Sequence, residues 1–501
     1  MSAAMAGVRL GTALQVEAHV LPSGSCASCE LHQGSESKLR VSSQFSAAPI
    51  SVQSSSSWGM SQKSSSCLSY ASSEFWGADN VQLSSQTGNS TSCSDMAGEN
   101  RRRASSIRVM SVVEKKGTPG RFYFNVTGFP FPLGPFLQRR TIRKEVEKGR
   151  IWTFEQEQAL GFSSVATNTR MTVIMLKSGG LWVHAPIAPT EECIQLLKEL
   201  EAPVEYIVLP TFAYEHKIFV GPFSRKFPKA QVWVAPRQWS WPINLPVQLF
   251  GIFKPKTLRD DDFSAPWADE IDQKVLSCPV GIGPYVEVAF FHKKSKTLLV
   301  TDAVIYVPEK PPEVVGKQSL LDAAKNGLAV RILSAGKEIP DDPIVDDEAT
   351  RQRGWERMVL QILFLGPADL LEPQQSFATM SKKLIVSPIV KTLVFSKEPE
   401  RVKDWVNRII KDWKFKSIIP CHFSAPIPAD GRDLRIAFNF LDELLPEVEN
   451  KSPAFGFSLA TIFSKASSFF PDADMKTLFS LDEFLVSVGA VRKTVSGKAR
   501  R

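Results

Sequence analysis

The sequence has no run approaching the ~20 consecutive apolar residues that a membrane-spanning helix needs. The nearest, Val359-Leu360-Gln361-Ile362-Leu363-Phe364-Leu365, suits a buried or interfacial helix. Cysteine is sparse: of 7, Cys26, Cys29, Cys67 and Cys93 fall in a Ser-rich leader, leaving Cys193, Cys278 and Cys421 in the body. Three dispersed thiols argue against a disulfide scaffold and suit a reducing compartment. Cys26-x-x-Cys29 has the spacing of a redox or zinc pair, but it stands in low-complexity sequence with no partner pair. A specific glycine-rich phosphate loop and a Gly-x-Ser-x-Gly nucleophile elbow are both missing. Gly281-Ile282-Gly283 lacks a third glycine and precedes a strand, the wrong context for a dinucleotide fingerprint. The net charge of +8 is spread along the chain, with no basic helix, RNA-binding aromatic signature or Cys/His finger. Nucleic acid is therefore not an expected partner, and the basicity reads as a solvated surface.

What is present starts with ordinary globular composition, 43% hydrophobic and 22% charged over 501 residues. That length accommodates one large domain or two ordinary ones with additions. Residues 1–110 are different: about a quarter are serine, and no helical or strand period is sustained. The segment ends in Arg101-Arg102-Arg103-Ala104-Ser105-Ser106-Ile107-Arg108 and has no apolar signal core. It resembles a plastid transit peptide, which points to a chloroplast protein. Its seven acidic residues are more than such a peptide usually carries, so part of it can be a retained disordered tail. The remaining body keeps 52 basic and 45 acidic residues.

From Tyr123 to Phe136 the chain is aromatic and rich in Pro and Gly, and the basic cluster Arg139-Arg140-Thr141-Ile142-Arg143-Lys144 follows. This reads as an extended arm packed on a domain; a peripheral membrane contact is the alternative. A hairpin is expected next, Met171–Lys177 and Leu181–Ala185 joined by Gly179-Gly180, which tolerates the positive φ of a tight turn. Thr190 is placed to cap a helix running to about Leu200, with Glu191 and Glu192 in its first turn. Tyr206-Ile207-Val208-Leu209 reads as a buried strand, Lys217–Phe227 as a helix and Gln231–Ala235 as a strand. A second hairpin is expected from Tyr285–His292 to Thr297–Thr301. Residues 309–380 read as a largely helical insertion. Arg401–Trp413 is amphipathic and leads to a last strand, Ser417–Pro420. Strand, helix and strand alternating at this spacing predict an α/β protein.

Three junctions concentrate chemistry. Thr211-Phe212-Ala213-Tyr214-Glu215-His216 joins a strand to a helix, Lys296-Thr297-Leu298-Leu299-Val300-Thr301-Asp302 ends a strand, and Ile418-Ile419-Pro420-Cys421-His422 ends another. They resemble the metal-binding segments of the metallo-β-lactamase superfamily, whose strand-to-helix junction carries His-x-His-x-Asp-His. Thr211 and Ala213 stand where the resemblance puts the first metal's histidines. Its remaining histidine would fall near Gly283-Pro284, where none occurs. Glu215, His216, Asp302 and His422 stand where it puts the ligands of the second metal. Losses and retentions thus each fall on one ion.

The stretch from Gly120 to Leu445 is more specifically similar to a plant and cyanobacterial family, domain of unknown function 4336. Its blocks here are Arg150-Ile151-Trp152-Thr153-Phe154, Arg170-Met171-Thr172-Val173, Glu215-His216-Lys217 through Gly221-Pro222-Phe223, Glu287-Val288-Ala289-Phe290-Phe291-His292, and the two late junctions. The resemblance implies a four-layer αββα sandwich and a plastid setting, with no established activity. Residues 446–501 would be a Ser/Phe-rich C-terminal extension.

Two imidazoles with one or two carboxylates suit one divalent ion, Zn, Fe or Mn. The expected function is then a single-metal hydrolase acting on a small or ester-like molecule. The alternative is a non-catalytic binding or assembly factor with a protein partner. Taken singly, each residue also has a structural explanation. His216 can cap a helix, Asp302 can hold a loop through backbone N–H groups, and His422 can be a satisfied core histidine. His184 ends a strand near the expected cleft edge, His292 begins a Lys-rich turn expected to meet solvent, and Cys421 reads as a small core residue.

Overall fold

The computed structural model describes residues 119–124, 136–159, 165–240, 244–281, 283–340, 343–445 and 470–494. The leader, the aromatic segment Gly128–Gly134 and residues 446–469 lie outside the described residues.

The first half of the chain builds a seven-stranded sheet. After a small ribbon, β1 (Phe122–Phe124) with β2 (Phe136–Gln138), come β3 (Ile142–Glu147), β4 (Ile151–Ala159), β5 (Ala166–Met175), β6 (Leu181–His184), β7 (Val204–Leu209), β8 (Gln231–Val234) and β9 (Lys256–Thr257). They pair in sequence order, antiparallel from β3 to β6 and parallel from β6 to β9. The β5–β6 turn is the expected one, with Gly179 at φ 85°. Parallel pairing needs crossovers; helices α1 (Glu191–Lys198) and α2 (Tyr214–Lys226) lie in the first two, and a 3-10 turn, Val247–Phe250, in the third. Thr190 caps α1 as predicted, its hydroxyl accepting from Cys193 N at 3.1 Å.

The basic cluster is not part of an arm. Ile142 to Glu147 is the edge strand of this sheet, and Arg139 is buried, its guanidinium donating to the Gln158 side chain at 3.1 Å.

A five-stranded sheet follows from β10 (Ile271–Cys278), β11 (Tyr285–His292), β12 (Thr297–Leu299), β15 (Ser417–Ile419) and β16 (Ile427–Pro428), in that order. A short ribbon, β13 (Ile305–Tyr306) with β14 (Leu384–Ile385), lies outside it in the pairing. Strand alternation decides the layers, because successive side chains point to opposite faces. Trp182 and Val208 meet Val286, Val288 and Phe290 between the two sheets. Leu181, Val183, Ile207 and Leu209 face Cys193, Leu197, Phe219 and Phe223 of α1 and α2.

On the outer face of the second sheet, Ala289 and Phe291 pack with helices of the second half. These are α3 (Lys317–Ala324), α4 (Leu328–Ile332), α5 (Glu348–Phe364), α6 (Gln374–Met380), α7 (Pro388–Leu393), α8 (Pro399–Asp412), α9 (Gly431–Ala437) and α10 (Phe440–Leu444). The result is the αββα sandwich expected. α8 is the amphipathic segment, burying Val402, Trp405, Val406 and Ile409. A last helix, α11 (Asp472–Ser487), buries Met475 and Leu478 and is pinned by Lys397 Nζ on Asp482 at 2.6 Å. No helix among the described residues is long and apolar enough to cross a membrane.

Candidate metal centre

The chain leaves β7, β12 and β15 at one end of the sandwich, and the three junction segments meet there. After β7 it crosses to the other sheet: Val288 N donates to the Pro210 carbonyl at 2.8 Å, and Phe212 N to that of Val286 at 3.3 Å. Thr211 is fully buried in this crossing, its hydroxyl donating to Val286 O at 3.2 Å and accepting from Ala213 N at 3.1 Å. The residue at the first lost histidine position thus serves the backbone. Nor does Gly283 leave room for a side chain: a Cβ there would lie 2.5 Å from Trp239 Cδ1. In the region assigned to the first ion, a backbone-bonded threonine and the Trp239 ring stand instead of imidazoles.

Helix α2 starts at Tyr214, three residues earlier than its apolar spacing suggested. His216, Lys217, Ile218, Phe219 and Val220 are all buried. A helix buried all round loses the one-sided period by which its start is read. Glu215 and His216 therefore stand in the first turn, and Glu215 has the sign a helix N-terminus favours. Glu215 lines a cavity of about 80 Å³ together with Asp302 and His422. His216 is fully buried, and neither ring nitrogen has a hydrogen-bond partner in the protein. Burial first, and His422 second, push its pKa down to about 3, so the ring is neutral.

Asp302 follows β12 in a loop held from below. The buried Glu287 carboxylate accepts from the two amides flanking Asp302, Thr301 N at 2.8 Å and Ala303 N at 3.1 Å, and from the Tyr285 hydroxyl. Burial, then repulsion from Asp302, raises Glu287 to about 7, and the bonds it accepts work against the shift. Asp302 is itself raised by burial and by Glu215, and lowered by His422.

His422 is fixed from the opposite sheet. Its Nδ1 lies 2.9 Å from Asn168 O, and its Nε2 lies 3.4 Å from Asp302 Oδ1. Arg170 donates to the carbonyls of Pro420, at 2.5 Å, and of Phe423. Asn168 bonds both the N–H and the C=O of Phe423, at 2.8 and 2.9 Å. Phe423 sits at φ 57°, unfavourable for a residue with a Cβ, and these bonds hold it there. Arg170 is paired in turn with Glu155 at 2.7 Å, the guanidinium 1% exposed.

One ligand atom each from His216, Asp302 and His422 can be chosen so that all lie within 4.8 Å of one another. The two imidazole rings are 5.2 Å apart between centroids. Glu215 lies on the wall of the same cavity but outside this close group. Imidazole and carboxylate suit a borderline or hard divalent ion. Buried polar atoms without partners are rare in folded proteins, and the His216 ring nitrogens are what an ion would satisfy. The residues fit a metal.

Other sequence candidates resolve otherwise. His184 lies inside the sandwich rather than at the cleft edge, stacked on Trp182 with centroids 5.8 Å apart. His292 does not meet solvent: it is fully buried, its Nδ1 2.7 Å from Ser295 Oγ, because the turn folds back over the strand end. Cys421 is buried with its thiol against Val300 O, and burial raises its pKa, so it is an inert core residue. Lys217, beside His216, was not singled out. It is buried, its Nζ 2.6 Å from Trp239 O, and burial lowers its pKa to about 7. Asn168 and Glu155 were missed as well, and Arg170 and Glu287 stood in the sequence reading only inside family blocks, with no role. For Glu287 the available signal was a carboxylate between Val286 and Val288 in an apolar strand, whereas Asn168, Arg170 and Glu155 stand among other polar strand residues that hid them.

An αββα sandwich with this strand order has the metallo-β-lactamase-like fold. The family described as Domain of unknown function (DUF4336) matches residues 148–373 and 371–440, over half of the sequence, and the chain belongs to it. No curated protein matches the sequence. Among solved structures, it is similar to the metal-soaked Flv1 flavodiiron core from Synechocystis sp. PCC6803, at 9% identity and TM-score 0.34. That match covers 61% of this chain and 62% of the other. It is similar also to a metallo-beta-lactamase from Pontibacter korlensis, at 12% identity and TM-score 0.29, over 60% of this chain and 99% of that one. A putative diflavin flavoprotein A 5 fragment from Nostoc sp. PCC 7120 gives 12% identity and TM-score 0.33, over 60% and 95%. At such scores it is the layer order, not these likenesses, that defines the fold.

Proposed function

We propose that the protein is a plastid metallo-β-lactamase-like hydrolase holding a single divalent ion, Zn, Fe or Mn. His216, Asp302 and His422 are its ligands, and Glu215 completes the donor set from the first turn of α2. The observation that carries this reading is the convergence of three donors within 4.8 Å around an imidazole whose nitrogens have no protein partner. When bound, such an ion supplies Lewis acidity and an acidified water. The chain's own contribution is orientation: Asn168 O accepts a hydrogen bond from His422 Nδ1–H and leaves Nε2 facing Asp302, while Glu287 fixes the loop that carries Asp302. The Ser-rich, Arg-ending leader supports the plastid setting.

The test is elemental analysis of the full chain after reconstitution with Zn, Fe or Mn. About one ion per chain is expected, and His216→Ala or His422→Ala should each strip most of it, because each removes a ligand. Metal content below about 0.2 per chain would leave a non-catalytic binding or assembly factor on the same scaffold.

A further inference from the structure

The cavity beside Asp302 and His422 has a chemical character of its own. Its volume is about 80 Å³. Ile362 and Leu363 of α5 and Ile389 and Val390 of α7 form one side, and Phe212 and Phe423 another. Apolar side chains supply most of the lining, and neither lysine nor arginine contributes to it. The charged groups on the wall are Glu215 and Asp302, beside His422. A phosphate or carboxylate entering here would meet carboxylates and no side-chain cation.

The neutral polar groups on the wall are mostly engaged. Gln158 accepts from Arg139 and donates to Ala159 O, and Ser387 accepts from Val390 N as a helix cap. Thr167 differs, because its residue is 5% exposed and its hydroxyl has no partner in the protein. An unmet buried hydroxyl beside an apolar void is what a ligand with one hydrogen-bonding atom would satisfy.

We propose that this cavity receives a small, uncharged molecule of about three to five heavy atoms, one hydrogen-bonding atom of which meets the Thr167 hydroxyl. The size follows from volume: an apolar cavity of ~150 Å³ takes benzene, and this one has about half that space. The inference names the substrate class for the single-metal reading above, but the ligand's size and charge rest on the cavity alone. Helices α5 and α7 therefore select for shape, and in the metal-free chain the acidic wall selects against anions.

The test uses the full chain stripped of metal by a chelator, so that it does not depend on the ion. Crystals under xenon pressure should show one xenon between α5 and α7. In ligand-observed NMR, methyl acetate should bind, acetate at least tenfold more weakly, and phenyl acetate not measurably. Thr167→Val should weaken methyl acetate about fivefold, the loss of one hydrogen bond, and leave xenon in place. Val390→Phe should remove both probes; if it fails to fold, the wild-type xenon position decides. An absent xenon, or acetate binding as tightly as methyl acetate, overturns the proposal. A chain that takes up no metal yet binds both probes loses the metal reading and keeps this one.

Discussion

The Nδ1 of His422 and the backbone carbonyl oxygen of Asn168 lie 2.9 Å apart, joining the two sheets across 254 residues of sequence. A carbonyl only accepts, so Nδ1 carries a proton, and Nε2 is the ring nitrogen left facing Asp302. Such outer partners fix the tautomer of a ligand histidine and its ring orientation. The Asn168 side chain secures the contact by bonding both backbone groups of Phe423, the next residue.

Asn168→Ala should therefore weaken metal binding without removing a ligand. The expected loss is about 10- to 100-fold in affinity, the usual effect of an outer-sphere change. Competition with a chelator measures it, with far-UV circular dichroism as the control for folding. Unchanged affinity would mean that the Phe423 anchor does not set the position of His422.

Arg170 and Glu155 form a pair buried between the layers, 2.7 Å apart, and Arg170 also serves carbonyls of the His422 loop. Arg170→Met leaves a buried carboxylate alone and should cost about 3–5 kcal/mol in denaturant unfolding. Adding Glu155→Gln removes the orphaned charge, so the double variant should be more stable than Arg170→Met. Equal or lower stability would show that capping the Pro420 and Phe423 carbonyls is the dominant contribution.

Acid should destabilise the protein through its buried histidines. Burial first, and His216 second, push His184 down to about 3, while an unfolded histidine titrates near 6.5. His292 is lowered to about 4 by burial and by Arg150. Below pH 6.5 the unfolded chain therefore takes up protons that the folded chain refuses. Stability is full above that value and is lost as the pH falls toward 4 and then 3. His184 stands among Trp182 and Phe290, so His184→Phe should fold and shed its share of this loss. Urea midpoints at pH 7 and pH 5 test it: the drop should be smaller in the variant. An equal drop would place the acid sensitivity elsewhere.

Much of the fold was legible where turns and caps mark the chain. The Gly179-Gly180 hairpin and the Thr190 cap stand as read, because each rests on a local backbone requirement. The first sheet's outer strands were not legible. Residues Glu155, Gln156 and Gln158 of β4 are polar yet buried, and a strand covered on both faces shows no alternation. His216, Asp302 and His422 were found by resemblance to a motif, and the structure draws these three together. What positions them was hidden, since Asn168 and His422 are partners only once two sheets have packed. Glu287 was hidden for the same reason: a carboxylate in an apolar strand reads as a defect until the loop that it holds is seen.

The lost half of the motif should resist restoration. Thr211→His with Ala213→His returns the residue types that the resemblance assigns to a first ion, and metal content should nevertheless stay at about one per chain. Thr211 is fully buried, and its hydroxyl bonds both Val286 O and Ala213 N, so the change leaves Ala213 N unmet, while Val286 O keeps its bond from Phe212 N. A third histidine would be needed near Gly283, where Trp239 lies 2.5 Å from any added Cβ. The double variant should also melt earlier, because an imidazole must enter a crossing that threonine now fills. Elemental analysis beside a thermal scan reads both effects. Two ions per chain with an undiminished melting temperature would mean that the first ion's position was only vacated, and that Thr211, Ala213 and Trp239 have not closed it.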